Sequence, residues 1–199
     1  MAGRSRPRPF VAGSPQELES AVRERCLNLL AVQPRTRTEL ERKLSQAGAP
    51  EEVTAAVLDR LTAVGLIDDT AYAEAYVRTG VGVRRRGTRS LRAELRTRGV
   101  APEVIDLAAA QVNDHDERAT ALALASRRAC GLARLAPDVR RRRLMGLLVR
   151  RGFSGAVVND VLAQVLSQMA ESDEDDDDPL LLEDERMGDD EAAAALSEG

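Results

Sequence analysis

Three copies of one frame constrain this chain more than any other feature. Gly48, Gly99 and Gly152 stand in register, each preceded four residues back by Leu44, Leu95 or Leu148 and eight back by Leu40, Leu91 or Leu144. Val53, Val104 and Val157 follow five residues after the glycines, and Leu61, Val112 and Val165 follow thirteen after. The glycines are 51 and 53 residues apart. A period of that length marks one supersecondary unit repeated in tandem. Leucines four apart share a helix face, and a glycine after the last of them reads as the left-handed residue that ends the helix. The frame predicts an all-α fold, a tandem array of three three-helix modules.

Local signals divide the chain. Residues 1–13 carry Arg4, Arg6 and Arg8 among prolines and read as a disordered basic arm. Module 1 spans 14–67. Ser14 and Glu17 form a capping box around Pro15, Thr36 and Glu39 form a second, and Gly48 and Gly65 close helices. Module 2 spans 68–113. Asp68 or Asp69 caps its first helix, with Tyr72, Ala75 and Tyr76 turned inward and Gly80 and Gly82 breaking it. Gly99 closes the second helix and Pro102 opens the third. Module 3 spans 114–170, with a helix over about 117–135, another from Pro137 to Gly152, and a last one capped by Ser154. Residues 171–199, with the acidic block Asp173–Asp178 and an isolated Leu180–Leu182 patch, read as a disordered acidic tail.

Charge is distributed unevenly. The formal net charge is -4, yet residues 171–199 hold 14 of the 33 acidic residues and one basic residue, Arg186. Residues 1–170 therefore carry a net of +9. A basic body of this kind suits a polyanion or an acidic partner. Arg84, Arg85, Arg86, Arg89, Arg92, Arg96 and Arg98 concentrate seven cations in fifteen residues, with Glu94 the one carboxylate between Val83 and Gly99. Arg89, Arg92 and Arg96 fall on a face away from Leu91 and Leu95. Arg140, Arg141, Arg142, Arg143, Arg150 and Arg151 form a second patch at the matching place of the next repeat. These thirteen arginines are the candidate partner-binding residues.

Catalytic patterns are lacking. His115 is the one histidine and stands between Asp114 and Asp116 at a module junction, where it reads as an exposed linker residue. No Cys/His cluster has metal spacing, and no phosphate-binding loop or dinucleotide fingerprint occurs. Cys26 and Cys130 lie far apart in predicted helices and read as buried thiols. The chain is therefore expected to be no enzyme and to use no cofactor or metal. Without a signal-peptide core or an apolar run near the ~20 residues of a membrane span, a cytoplasmic, monomeric protein is expected.

Several strings resemble the RecX family, bacterial regulators of the recombinase RecA. They are Gly65-Leu66-Ile67-Asp68-Asp69 followed by Tyr72-Ala73, then Tyr76-Val77, then Gly87 with Leu91, Glu94-Leu95 and Gly99-Val100. The first helices and the third repeat match more loosely, and the resemblance covers about residues 20–168. It implies an elongated, gently curved array. It also implies binding in the groove of the RecA–single-stranded DNA filament, with suppression of ATPase, strand exchange and coprotease activity. Stacked helices of ~18 Å would give on the order of 50–60 Å of reach. The alternative is a helical-repeat protein acting directly on DNA, whose affinity would come from phosphates and fall with salt. Base stacking contributes little with two tyrosines, two phenylalanines and no tryptophan.

Overall fold

The structure is a computed structural model that describes residue 10 and residues 14–175. The basic arm and the acidic tail beyond Asp175 lie outside the described residues. Nine α-helices follow one another, with no strand among the described residues. Module 1 contains α1 (Pro15–Val32), α2 (Arg37–Gln46) and α3 (Glu51–Ala63). Module 2 contains α4 (Asp69–Gly82), α5 (Thr88–Thr97) and α6 (Pro102–Ala110). Module 3 contains α7 (Asp114–Ala129), α8 (Pro137–Arg151) and α9 (Gly155–Asp175), with a 3-10 turn Cys130–Leu132 after α7.

Each module closes around its own core. The leucine pairs of the repeat frame, Leu40/Leu44, Leu91/Leu95 and Leu144/Leu148, are each at most 1% exposed and anchor three separate apolar clusters. Burying a leucine contributes roughly 1.5–3 kcal/mol, so each pair is a large share of a small core. The middle helices α2, α5 and α8 then end on Gly48, Gly99 and Gly152, with φ of +83, +79 and +82°. In each case the next residue's N–H bonds back five residues, to Leu44, Leu95 or Leu148. That is the Schellman closure, for which glycine meets no Cβ penalty.

Several expectations need correction. The buried stripe of α4 is Ala73, Val77 and Val81, one residue out of phase with Tyr72 and Tyr76, which are half-buried, while Ala75 is exposed. Gly80 does not break α4, which continues through Gly82. Gly80 is buried and admits α5: a Cβ there would lie 2.4 Å from a methyl of Leu91. The second capping box is half formed. Thr36 accepts from the Glu39 N–H at 3.2 Å, but the Glu39 carboxylate turns away to Arg98. α7 begins at Asp114, where Asn113 caps it. α9 runs through Asp175, past residue 170, because neither glycine nor proline interrupts Glu171–Asp175. Cys26 is buried as expected, whereas Cys130 is exposed in the turn after α7.

The modules join through one repeated contact. The start of α2 abuts the end of α5, and the start of α5 abuts the end of α8. At the first joint, Thr36 donates to the Arg98 carbonyl at 2.6 Å and Thr38 to the Gly99 carbonyl at 3.1 Å. At the second, the Gly87 N–H and the Ser90 hydroxyl both donate to the Arg151 carbonyl, at 2.9 and 3.1 Å. A carboxylate from the next module's first helix completes each joint. Asp69 accepts the Arg37 N–H at 2.9 Å, and Glu117 accepts the Thr88 N–H at 2.9 Å. Arg37 and Thr88 occupy the same repeat position. Backbone groups left orphaned at helix ends are thus satisfied across modules, and the negative end of one helix meets the positive end of the next.

Candidate partner-binding surface

The thirteen arginines separate by what their side chains touch. On α5, burial of Leu91 and Leu95 turns Arg89 and Arg96 to solvent on one face, seven residues apart. Arg92 is half-buried and reaches Asp106 of α6. Arg86 pairs with Glu94, which also accepts the Tyr76 hydroxyl. Arg98 donates to Glu39 at 2.6 Å and lies over the Tyr76 ring, 5.1 Å from its centroid. The expected ridge of Arg89, Arg92 and Arg96 therefore reduces to Arg89 and Arg96. The missing acids are supplied by other helices, Asp106 and Glu39, which a count along Val83–Gly99 does not register.

On α8, Arg140 is 9% exposed and donates to the Leu135 carbonyl at 2.5 Å. Arg141, Arg142, Arg143 and Arg150 are exposed. Arg151 donates to the Arg84 carbonyl at 2.9 Å. That bond and the Gly87–Arg151 bond bring the Arg84–Arg86 turn against the end of α8. The two arginine patches thus meet at the joint of modules 2 and 3. Arg85 sits in that turn at φ 50°, a conformation that costs a side chain about 1–2 kcal/mol. Arg84, Arg85, Arg89, Arg96, Arg141, Arg142, Arg143 and Arg150 are exposed and have no acidic partner among the described residues.

A groove of about 620 Å³ opens where modules 1 and 2 meet. Its walls include Gly65, Leu66, Asp68, Tyr72 and Tyr76, and three cations, Arg35, Arg84 and Arg98. Four large apolar side chains stand exposed in it or next to its lining residues: Val32, Val64, Leu66 and Val83, from 53 to 79% exposed. Exposed Leu66 set among three cations gives the groove the mixed make-up of a protein-docking surface. The two tyrosines stack with centroids 6.0 Å apart, so each ring face toward the other is already occupied. Tyr72 and Tyr76, expected to face the interior, instead line this groove. The signal was present in their offset from the Ala73–Val77–Val81 stripe.

The electrostatics of the groove follow from partial burial. Burial raises the Tyr76 hydroxyl pKa above 10.0, and its hydrogen bond to Glu94 adds to the shift. Burial likewise raises Tyr72. Burial pulls the Glu94 carboxyl up, but hydrogen bonds from Arg86 and Tyr76 outweigh it and hold it below 4.5. Asp69 is raised above 3.8 by burial, against the Arg37 N–H that it accepts. Glu94 is therefore an ionised carboxylate at neutral pH, and Tyr76 is a neutral donor to it.

His115 is exposed in the first turn of α7. Among the described residues no group of three or more His, Cys, Asp or Glu side chains is placed to hold a metal. No described helix is long and apolar enough to cross a membrane.

Known proteins share this architecture and sequence. Residues 23–61, 68–108 and 116–162 match the first, second and third three-helix domains of RecX. A regulatory protein RecX of Thermobifida fusca is 39% identical over 164 residues, covering 82% of this chain and 88% of that protein. That of Mycolicibacterium smegmatis is 42% identical over 164 residues, covering 80% of this chain and 87% of that one. The crystal structure of RecX from Lactobacillus salivarius superposes with a TM-score of 0.71 over 75% of this chain and 97% of that chain. At 24% identity it speaks to the fold alone. A second crystal structure of a regulatory protein RecX gives 0.68 at 29% identity, over 73% of each chain.

Proposed function

The chain belongs to the RecX family of regulatory proteins, and we propose that it inhibits the recombinase RecA by occupying the groove of the RecA–single-stranded DNA filament. One observation carries this reading: eight exposed arginines without acidic partners among the described residues, on modules 2 and 3, whose two patches meet at one joint. Such a surface is drawn to the negative field of a nucleoprotein filament. The groove between modules 1 and 2 supports a protein partner in addition to phosphate. End-to-end stacking of α2, α5 and α8 supports a body long enough to bridge neighbouring filament subunits. Filling the filament groove excludes the incoming duplex, which would suppress strand exchange, or favours disassembly of the filament, which would also suppress ATPase and coprotease activity, in either case without chemistry from this chain. A RecA ATPase assay on single-stranded DNA tests it. Inhibition at or below one copy per RecA subunit supports the proposal. Tight, salt-sensitive binding to naked DNA with RecA turnover unchanged supports direct DNA binding instead.

A further inference from the structure

Module 3 ends in an apolar recess that nothing in the helical array fills. It lies between α7 and α9, holds about 320 Å³, and is lined by Ala129, Cys130, Ala133, Val165 and Met169, with Ser126 and Gln168 as its polar members. Exposed Arg127 and Arg134 adjoin lining residues Ser126 and Ala133 in sequence and have no acidic partner among the described residues, whereas Arg128 lies ~160° around α7 from Ser126. The chain leaves α9 at Asp175, close to this recess: Met169 is one lining residue, and the six residues from it to Asp175 rise ~9 Å.

The sequence beyond Asp175 is complementary to the recess in charge and in polarity. Asp176–Asp178 precede Pro179, Leu180–Leu182 come next, and Glu183, Asp184 and Glu185 succeed them. Five residues in extended form reach ~17 Å, enough to bring Leu180 back over the last turns of α9. Three consecutive leucines flanked by carboxylates match an apolar recess whose lining residues Ser126 and Ala133 are followed in sequence by exposed Arg127 and Arg134.

We propose that Leu180–Leu182 of the same chain dock into the α7/α9 recess, with the flanking carboxylates set against Arg127 and Arg134. Docking covers Cys130 and withdraws two cations from any anionic partner, so the acidic segment regulates access to the end of module 3. This inference is independent of RecA.

Cys130 is the reporter, because it lines the recess, while buried Cys26 in module 1 reads the integrity of the fold in the same sample. Iodoacetamide alkylation of each cysteine is followed by peptide mass spectrometry. The full chain is compared with L180S/L181S/L182S and with a chain ending at Asp175, which retains every described helix. Intramolecular docking predicts Cys130 alkylation roughly tenfold slower in the full chain than in either variant, as expected of a site held closed nine-tenths of the time. The protection is independent of protein concentration and persists in about 1 M NaCl, where exposed charges are screened within ~3 Å. Equal rates in all three chains overturn the proposal. So does protection that vanishes on dilution, which assigns the recess to a second copy. Protection retained by the triple-serine variant but abolished by salt also overturns it, by leaving the carboxylates alone responsible.

Discussion

Arg98, which caps the end of α5, donates a 2.6 Å hydrogen bond to Glu39 of α2, so one guanidinium ties module 2 to module 1 while its face covers Tyr76. The Glu39 side chain is 10% exposed, and its second oxygen finds no partner. Arg98 belongs by position to the surface patch, but its contacts make it part of the joint.

Replacing Arg98 with alanine leaves the Glu39 carboxylate enclosed and unpaired. Loss of one partner of a buried pair costs about 3–5 kcal/mol, and solvent access to Arg98 reduces this to about 2 kcal/mol. Urea unfolding should show that loss. Glu39→Gln in the Arg98→Ala background should restore part of it, giving a non-additive double-mutant cycle. Additive losses would mean that the two side chains act independently.

The repeat glycines should not tolerate alanine equally. A Cβ at Gly48 meets nothing within 4 Å, so Gly48→Ala costs the left-handed conformation alone, about 1–2 kcal/mol. A Cβ at Gly99 meets Thr38 Cβ at 2.4 Å, and one at Gly152 meets Ser90 Cβ at 2.2 Å and the Ser90 backbone nitrogen at 2.6 Å. Neither Cβ can move without its own backbone, and at Gly152 the Ser90 backbone nitrogen is itself in the way. Overpacking adds about 1–3 kcal/mol. The order of destabilisation should be Gly48, Gly99, Gly152, smallest first, by thermal or urea unfolding. A Gly48 variant as unstable as the Gly152 variant would remove the case for a tight joint.

Two tyrosines and no tryptophan make ultraviolet titration a direct probe of the groove. Both phenols are raised by burial, and Tyr76 also by its bond to Glu94, so ionisation should be centred above 10.0. A raised folded pKa means stability present below the unfolded pKa and lost as pH rises through the folded value, so the fold should weaken above about pH 10. Glu94→Gln should lower the Tyr76 midpoint by removing a carboxylate acceptor. A midpoint at or below about 10 in the native protein would contradict the packing described for this groove.

Charge reversal should separate contact arginines from structural ones. Arg89→Glu with Arg96→Glu should weaken RecA inhibition roughly tenfold with stability changed by no more than about 0.5 kcal/mol, because both side chains are exposed and unpaired. Arg92→Glu faces Asp106 and should act mainly on stability. Inhibition unaffected by the Arg89/Arg96 pair would exclude that face of α5 from the contact.

The fold was legible because it rests on local and periodic signals. The Leu–Leu–Gly frame, the Ser14 and Ser154 caps and Pro102 and Pro137 each act within one or two helical turns, where sequence spacing is spatial spacing. Ser14 and Glu17 close their box as written, and Ser154 receives the Val157 N–H at 3.3 Å. The surface was less legible, because Arg98, Glu39, Asp69 and Thr88 acquire partners from other modules, 59, 32 and 29 residues away. Gly80 read as a breaker because its neighbour Leu91 arrives from another helix. A run of arginines gives the sign of a surface. Which of its members remain free for a partner is decided by acids that the run does not contain.

Electron cryomicroscopy of the full chain on a RecA–single-stranded DNA filament would decide whether groove occupancy is the mode of action. The proposal predicts continuous density along the helical groove, each copy touching more than one RecA subunit, with the Arg89–Arg96 face of α5 turned toward the filament. Density confined to filament ends, or a bound copy with that face turned to solvent, would contradict it.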